Sequence, residues 1–251
     1  MKQAFFEYLL RLGDNALVLG HRLSEWCGHG PILEQDIAMT NIALDQVGQA
    51  RSLLQYAGQV EGSGRTEDNL AYLRDVGGYR NVLLVEQPNG DFAHTITRQF
   101  LFDAFNYFQY EALRHSRDEH LRAISEKSIK EITYHLRYSS EWMIRLGDGT
   151  EESHQRMQAA LDDLWMYTGE LTEVTEVDEI MLDAGIGPGL HSIKGLYDEK
   201  VSAILAEATL QQPTGAWMQS GGKTGKMHSE HLGHLLAELQ FVQRAYPGME
   251  W

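Results

Sequence analysis

From Leu9 the apolar side chains recur at Leu9, Leu12, Ala16, Leu19, Leu23 and Trp26, steps of three and four that lay one stripe along a helix. Gly28, Gly30 and Pro31 end it. A second helix is expected over about residues 33–60, with Met39, Ile42, Leu53 and Tyr56 on its stripe and the Gly62-Ser63-Gly64 loop at its end. A third opens behind Pro88-Asn89-Gly90 with Asp91 as N-cap and carries Phe92, Ile96, Phe100, Tyr107 and Tyr110. Asp118 opens a fourth, marked by Leu121, Ile132, Trp142 and Leu146, and Thr150 caps a fifth that reaches about Leu171. Glu173 to Gly189 reads as polar and glycine-punctuated, followed by helices near 190–210 and 227–245. Strand-like alternation is weak, and the best candidate, Asn81 to Val85, reads equally as a buried turn of helix. No proline interrupts the chain between Pro88 and Pro188, which favours long helices. With no repeat or linker, the pattern predicts one all-α domain over residues 1–251, a long four-helix bundle with additional C-terminal helices.

Polar residues interrupt these stripes at mid-length. Helical phase puts Gln46 and Gln49 on the face of Met39, Ile42, Leu53 and Tyr56, Asp103 between Phe100 and Tyr107, and His135 on the face of Ile132 and Trp142. Burying such groups without partners costs each several kcal/mol by rough estimate, so they are expected to bond to one another. Their placement follows the plan of di-iron carboxylate bundles, in which two helices each supply a carboxylate and two others each supply Glu-x-x-His. The donor set is depleted: the second helix offers Gln46-x-x-Gln49, the fourth Ile132-x-x-His135, the third Asp103, and the first only Ala16. Gln is neutral and ligates poorly, while Ile and Ala do not ligate, so a structural polar core is expected in place of an iron pair.

Composition narrows the function. With 21 Lys+Arg against 36 Asp+Glu, the net charge of −15 opposes nucleic-acid binding. No apolar run approaches a membrane span, and Glu7 and Arg11 come too early for a signal peptide, so no membrane association and a cytoplasmic location are expected. The single cysteine, Cys27, excludes an internal disulfide and reads as a buried structural thiol. Glu7 and Arg11, four apart, read as part of a solvated face. Glu151 and His154 form the only literal Glu-x-x-His, at a polar helix start, and read as no metal site. His228, His231 and His234, three apart, are read as a polar helix start. Gly221 to Lys226 departs from the phosphate-loop pattern, because Trp217 stands where its first glycine belongs, and reads as a flexible basic connection. Phe100, Phe102, Phe105 and Phe108 cover more than one side of the third helix, which is therefore central or pressed against a partner.

The strings LRLGDNALVLGHRLSEWCGHGP from Leu10, NIALDQVGQARSLLQYA from Asn41, NVLLVEQPNGDFAHTITRQF from Asn81, KEITYHLRYSSEWMIRLGDGT from Lys130 and HSEHLGHLLAELQFVQRAYPG from His228 carry a resemblance over essentially the whole chain. The sequence resembles the non-catalytic, ferritin-like structural subunits of the phenylacetyl-CoA epoxidase oxygenase component. That resemblance implies a ferritin-like bundle, a hetero-oligomer with a related catalytic subunit that holds the di-iron centre, electrons from a separate reductase, and no cofactor in this chain. It also implies that the catalytic subunit's two bundle carboxylates fall on Ala16 and Asp103 here, and its two Glu-x-x-His motifs on Gln46-x-x-Gln49 and Ile132-x-x-His135. Glu131 does not replace Ile132, because one residue turns it about 100° around the helix. Two rival classes are an independent metalloenzyme or metal-binding protein using Asp103 and His135, and a coenzyme A thioester binder without redox chemistry.

Overall fold

The structure, a computed structural model, describes residues 1–249. Among them are twelve α-helices and no strand: α1 (Lys2–Ser24), α2 (Leu33–Glu61), α3 (Glu67–Tyr72), α4 (Leu83–Glu86), α5 (Phe92–Leu113), α6 (Glu119–Gly147), α7 (Glu151–Leu164), α8 (Gly169–Thr172), α9 (Glu176–Asp183), α10 (Leu190–Glu207), α11 (Glu230–Leu239) and α12 (Phe241–Ala245). The all-α expectation holds, and the four long helices read from periodicity are α1, α2, α5 and α6. By its internal packing the chain divides into two compact units. One comprises residues 1–87 with the described residues from Ser220 onward, and the other residues 88–219.

In the first unit α1 and α2 lie side by side and antiparallel, with Gly13 against Leu54 and Gly20 against Val47. The α1 stripe is buried from Leu9 to Leu23, whereas Trp26, in the turn that ends the helix, is half-buried. Cys27 shares that turn and is exposed, which corrects its reading as a buried thiol. Arg11 is buried, contrary to the solvated face expected of it, with Nη2 3.6 Å from Glu7 Oε1.

Two buried carboxylates organise the rest of this unit. Asp14 accepts from Arg74 Nη1 and from the backbone N–H of Arg80, each at 2.9 Å. Nearby, Gln240 donates to the carbonyls of Ala71 (3.2 Å) and Arg74 (2.9 Å), and this inward side chain stands where the expected helix of 227–245 breaks into α11 and α12.

The second carboxylate, Glu86, ends α4, the short helix that settles the ambiguity of residues 81–85 in favour of a buried helical turn. Its oxygens accept from Asn81 Nδ2 (2.9 Å), His228 Nδ1 (2.5 Å), Ser229 N (2.7 Å) and Ser229 Oγ (2.6 Å). Its own carbonyl accepts from Arg22 Nε (3.1 Å) and Nη2 (2.9 Å), so α1, α4 and the start of α11 meet at one residue. His228 precedes α11 and is turned inward onto Glu86, so His228, His231 and His234 do not share a helix face. The loop before it is packed, not flexible as expected. Gly222 passes so close to residues 81–83 that an added Cβ would lie 2.5 Å from the Asn81 carbonyl oxygen.

In the second unit α5 and α6 are the long antiparallel pair, capped as expected by Asp91, which accepts from His94 N–H, and Asp118, which accepts from Leu121 N–H. α5 packs against α6, α7 and α10, which together cover Phe100, Phe102 and Phe105. Three of the four phenylalanines of this helix are thus buried within the chain, while Phe108 is half-exposed. The fifth helix stops at Leu164, seven residues before its expected end, and gives way to a 3-10 turn over Trp165–Tyr167, where Thr168 Oγ1 donates to the Trp165 carbonyl at 2.8 Å. The stretch read as irregular contains α9, started by Thr175, whose N–H and hydroxyl both donate to Asp178 Oδ2 at 2.9 and 2.7 Å. This is a capping box with aspartate in the usual glutamate position.

Glu86→Ala is expected to leave Asn81, His228 and Ser229 without their shared acceptor, lowering stability by about 3–5 kcal/mol. It should also make the Ser220–Ser229 segment the first site of limited proteolysis. Denaturant unfolding and peptide mapping check both, and a variant as stable and as protease-resistant as the parent would refute the assignment.

Candidate functional site

The mid-helix polar residues all lie in the interior. Gln46 and Asp103 are wholly buried, as is His135, and Gln49 is nearly so. In the first unit Gln46 sits where α1 and α2 cross. Its Cβ would lie 3.2 Å from a Cβ built on Gly20, one turn of helix beyond Ala16. Ala16 is itself buried and offers no donor. Neither the nitrogen nor the oxygen of the Gln46 carboxamide has a hydrogen-bond partner among the described residues, which corrects the expectation that it joins a bonded network.

In the second unit the antiparallel register of α5 and α6 brings Asp103 opposite the turn that holds His135 and Ser139. One carboxylate oxygen of Asp103 accepts from Gln99 Nε2 at 2.7 Å and the other from Ser139 Oγ at 2.8 Å. Gln99 and Ser139 are the partners that sequence reading missed. Both were open to it by phase, since Gln99 lies four residues before Asp103 and Ser139 four after His135, each on its neighbour's face. Burial pushes the Asp103 carboxyl up to about 7, and the opposing pull of His135, Ser139 and Gln99 is the weaker influence. Ile132 is wholly buried while Glu131 is half-exposed, as the rotation between neighbours requires.

These side chains are a poor fit to an iron pair. Two ferrous ions carry four positive charges, and neither unit meets them: at these positions the first offers two neutral carboxamides and the methyl of Ala16, the second one carboxylate that already accepts two hydrogen bonds, one imidazole and the hydrocarbon of Ile132. Among the described residues no three His, Cys, Asp or Glu side chains gather as a metal-binding group. Glu151 and His154 are turned to local tasks: Glu151 accepts from Gln155 Nε2 at 2.6 Å, and His154 Nδ1 lies 2.7 Å from the Gly147 carbonyl. No helix among the described residues is long and apolar enough to cross a membrane.

The chain is all-helical, and each of its two long antiparallel helix pairs buries polar side chains at mid-helix. The chain belongs to the family described as phenylacetic acid catabolic protein, whose model matches residues 1–251. It is similar to a subunit of the 1,2-phenylacetyl-CoA epoxidase of Escherichia coli (strain K12), with 49% identity over 244 residues, which cover 97% of this chain and 98% of that one.

The raised carboxyl of Asp103 sets a pH dependence. An acid whose folded pKa lies above its ordinary value of 3.8 binds more protons folded than unfolded, so stability falls as pH rises from about 4 to about 7 and levels off above that. Asp103→Asn removes the titration and is expected to flatten that part of the profile. Urea unfolding at half-unit pH steps checks this, and parallel profiles for parent and variant would contradict it.

Proposed function

We propose that this chain is the structural, non-catalytic subunit of a 1,2-phenylacetyl-CoA epoxidase. It pairs with and stabilises a di-iron catalytic subunit that epoxidises the aromatic ring of phenylacetyl-CoA in aerobic phenylacetate degradation. Electrons come from a separate reductase, and the assembly is cytoplasmic. The observation that carries this reading is the 49% identity to a 1,2-phenylacetyl-CoA epoxidase subunit along 97% of the chain.

Its non-catalytic side rests on the donors. Ala16 and Ile132 supply none, Gln46 and Gln49 supply neutral oxygens, and the Asp103 carboxylate is spent on Gln99 and Ser139. What these residues do is hold helices in register. The Ser139–Asp103 bond ties α6 to α5, and the buried Glu86 cluster fixes the first unit. A scaffold of this kind contributes by presenting a fixed surface, which limits the ordering cost of association. The ferritin-like bundle over residues 1–251 belongs to the same proposal.

The test is reconstitution with the catalytic subunit from the same organism. The two chains are expected to co-elute in size-exclusion chromatography at micromolar concentration, and phenylacetyl-CoA turnover by the catalytic subunit with its reductase should fall at least tenfold when this chain is omitted. Asp103→Asn in the assembled complex should leave kcat within about twofold. Independent elution at every mixing ratio, or loss of chemistry in a folded and assembled Asp103→Asn complex, would overturn the proposal.

A further inference from the structure

In the second unit three helices enclose a cleft of about 390 Å³, between Tyr107 and Phe108 of α5, Leu136 and Arg137 of α6, and Lys200 of α10. That is the size of a site for a small organic molecule. Its apolar wall is the buried Leu136 with the half-exposed rings of Tyr107 and Phe108. Those rings meet edge to face, with centroids 5.2 Å apart and planes at 78°. A pair of this kind extends favourably to a third ring, stacked or edge-on.

Two hydroxyls also line the cleft, and they differ. Thr133 Oγ1 donates to the Ile129 carbonyl at 2.6 Å, the usual outlet for a hydroxyl in mid-helix. Ser140 is only 6% exposed, yet its Oγ has no hydrogen-bond partner among the described residues. A buried hydroxyl left unpaired costs free energy that an acceptor placed in the cleft would recover.

Charge specifies that acceptor. Arg137 lies over the Tyr134 ring, 5.6 Å from its centroid, a contact that leaves the guanidinium N–H groups free to donate. Among the described residues neither Arg137 nor Lys200 forms an ion pair, although the chain carries 36 acidic residues to 21 basic ones. Glu141 is the one acid of the lining. Two bases against one acid give a local charge of one positive unit, which suits a monoanion better than a phosphate dianion. A larger hollow, about 530 Å³, continues past Tyr107 and Thr133, and there the charges cancel: Glu111 holds Arg114 with both oxygens at 2.8 and 2.7 Å, and Glu126 faces the same space as Lys130.

We propose that the cleft between α5, α6 and α10 binds a small aromatic monocarboxylate. Its ring lies against Tyr107, Phe108 and Leu136, and its carboxylate accepts from Arg137, Lys200 and the Ser140 hydroxyl. The site belongs to this chain alone and does not depend on the pairing proposed above.

The experiment titrates benzoate into the full-length chain by calorimetry, with acetate, benzyl alcohol and hexanoate as comparisons. Benzoate is expected to bind at millimolar concentration or below, and each comparison at least tenfold more weakly, because acetate lacks the ring, benzyl alcohol the charge and hexanoate the aromatic face. Arg137→Gln/Lys200→Gln removes two side chains without ion pairs, and Ser140→Ala removes a hydroxyl without a partner, so both variants should melt within a few degrees of the parent. Benzoate affinity should fall at least tenfold in the first and about fivefold in the second. No binding by the folded parent at millimolar benzoate, equal binding by parent and both variants, or hexanoate binding as tightly as benzoate would each overturn the proposal. If benzoate does not bind and Arg137→Gln/Lys200→Gln instead weakens association with the catalytic subunit, the cleft receives an acidic protein segment and the proposal is likewise overturned, while the proposed function stands.

Discussion

Burying the Glu86 carboxylate is tolerable only because four donors converge on it, and that condition fixes where the chain from Ser220 must run. Two of those donors belong to Ser229, the residue just before α11, and a third to His228. The start of α11 is therefore placed by an acceptor some 140 residues earlier, not by its own capping chemistry, since the Ser229 hydroxyl is given to Glu86. The close passage of Gly222 over residues 81–83 follows from the same anchoring. Through Arg22, which reaches the Glu86 carbonyl and also the His231 carbonyl at 3.1 Å, the end of α1 is tied to this point as well.

The second unit solves a similar problem with cheaper partners. Asp103 is buried in the middle of a helix pair, and a hydroxyl and a carboxamide share its oxygens where a cation would be the stronger partner. The consequence is a carboxyl whose ionised form is poorly supported, in a residue that bonds from α5 across to α6. Gln46 is the contrasting case: neither of its amide atoms is bonded among the described residues, so this buried polar side chain lies where α1 and α2 meet without the interactions that would make it useful to stability.

Much of this was legible in the sequence because it is local. The stripes of α1, α2, α5 and α6 and the caps Asp91 and Asp118 depend on residues three and four apart, which periodicity reads directly. So does the inward phase of Gln46, Gln49, Asp103 and His135. What was missed depends on partners distant in the chain. Nothing near Glu86 announces that His228 and Ser229 will reach it. The break at Gln240 follows from carbonyls at positions 71 and 74, and the burial of Arg11 contradicts an i, i+4 pair that looks like any solvated face. The helix α9 is a different case, since Thr175 and Asp178 were a readable capping box that the polar composition around them obscured.

The central claim is that this chain keeps the helical frame of a di-iron protein and has given up the chemistry. Iron analysis of the isolated, untagged chain tests it most directly. After incubation with excess ferrous iron under anaerobic conditions, then chelation and gel filtration, the account predicts iron far below one atom per chain. Close to two atoms per chain retained through both steps would contradict it and would favour an independent metalloenzyme built on Asp103 and His135.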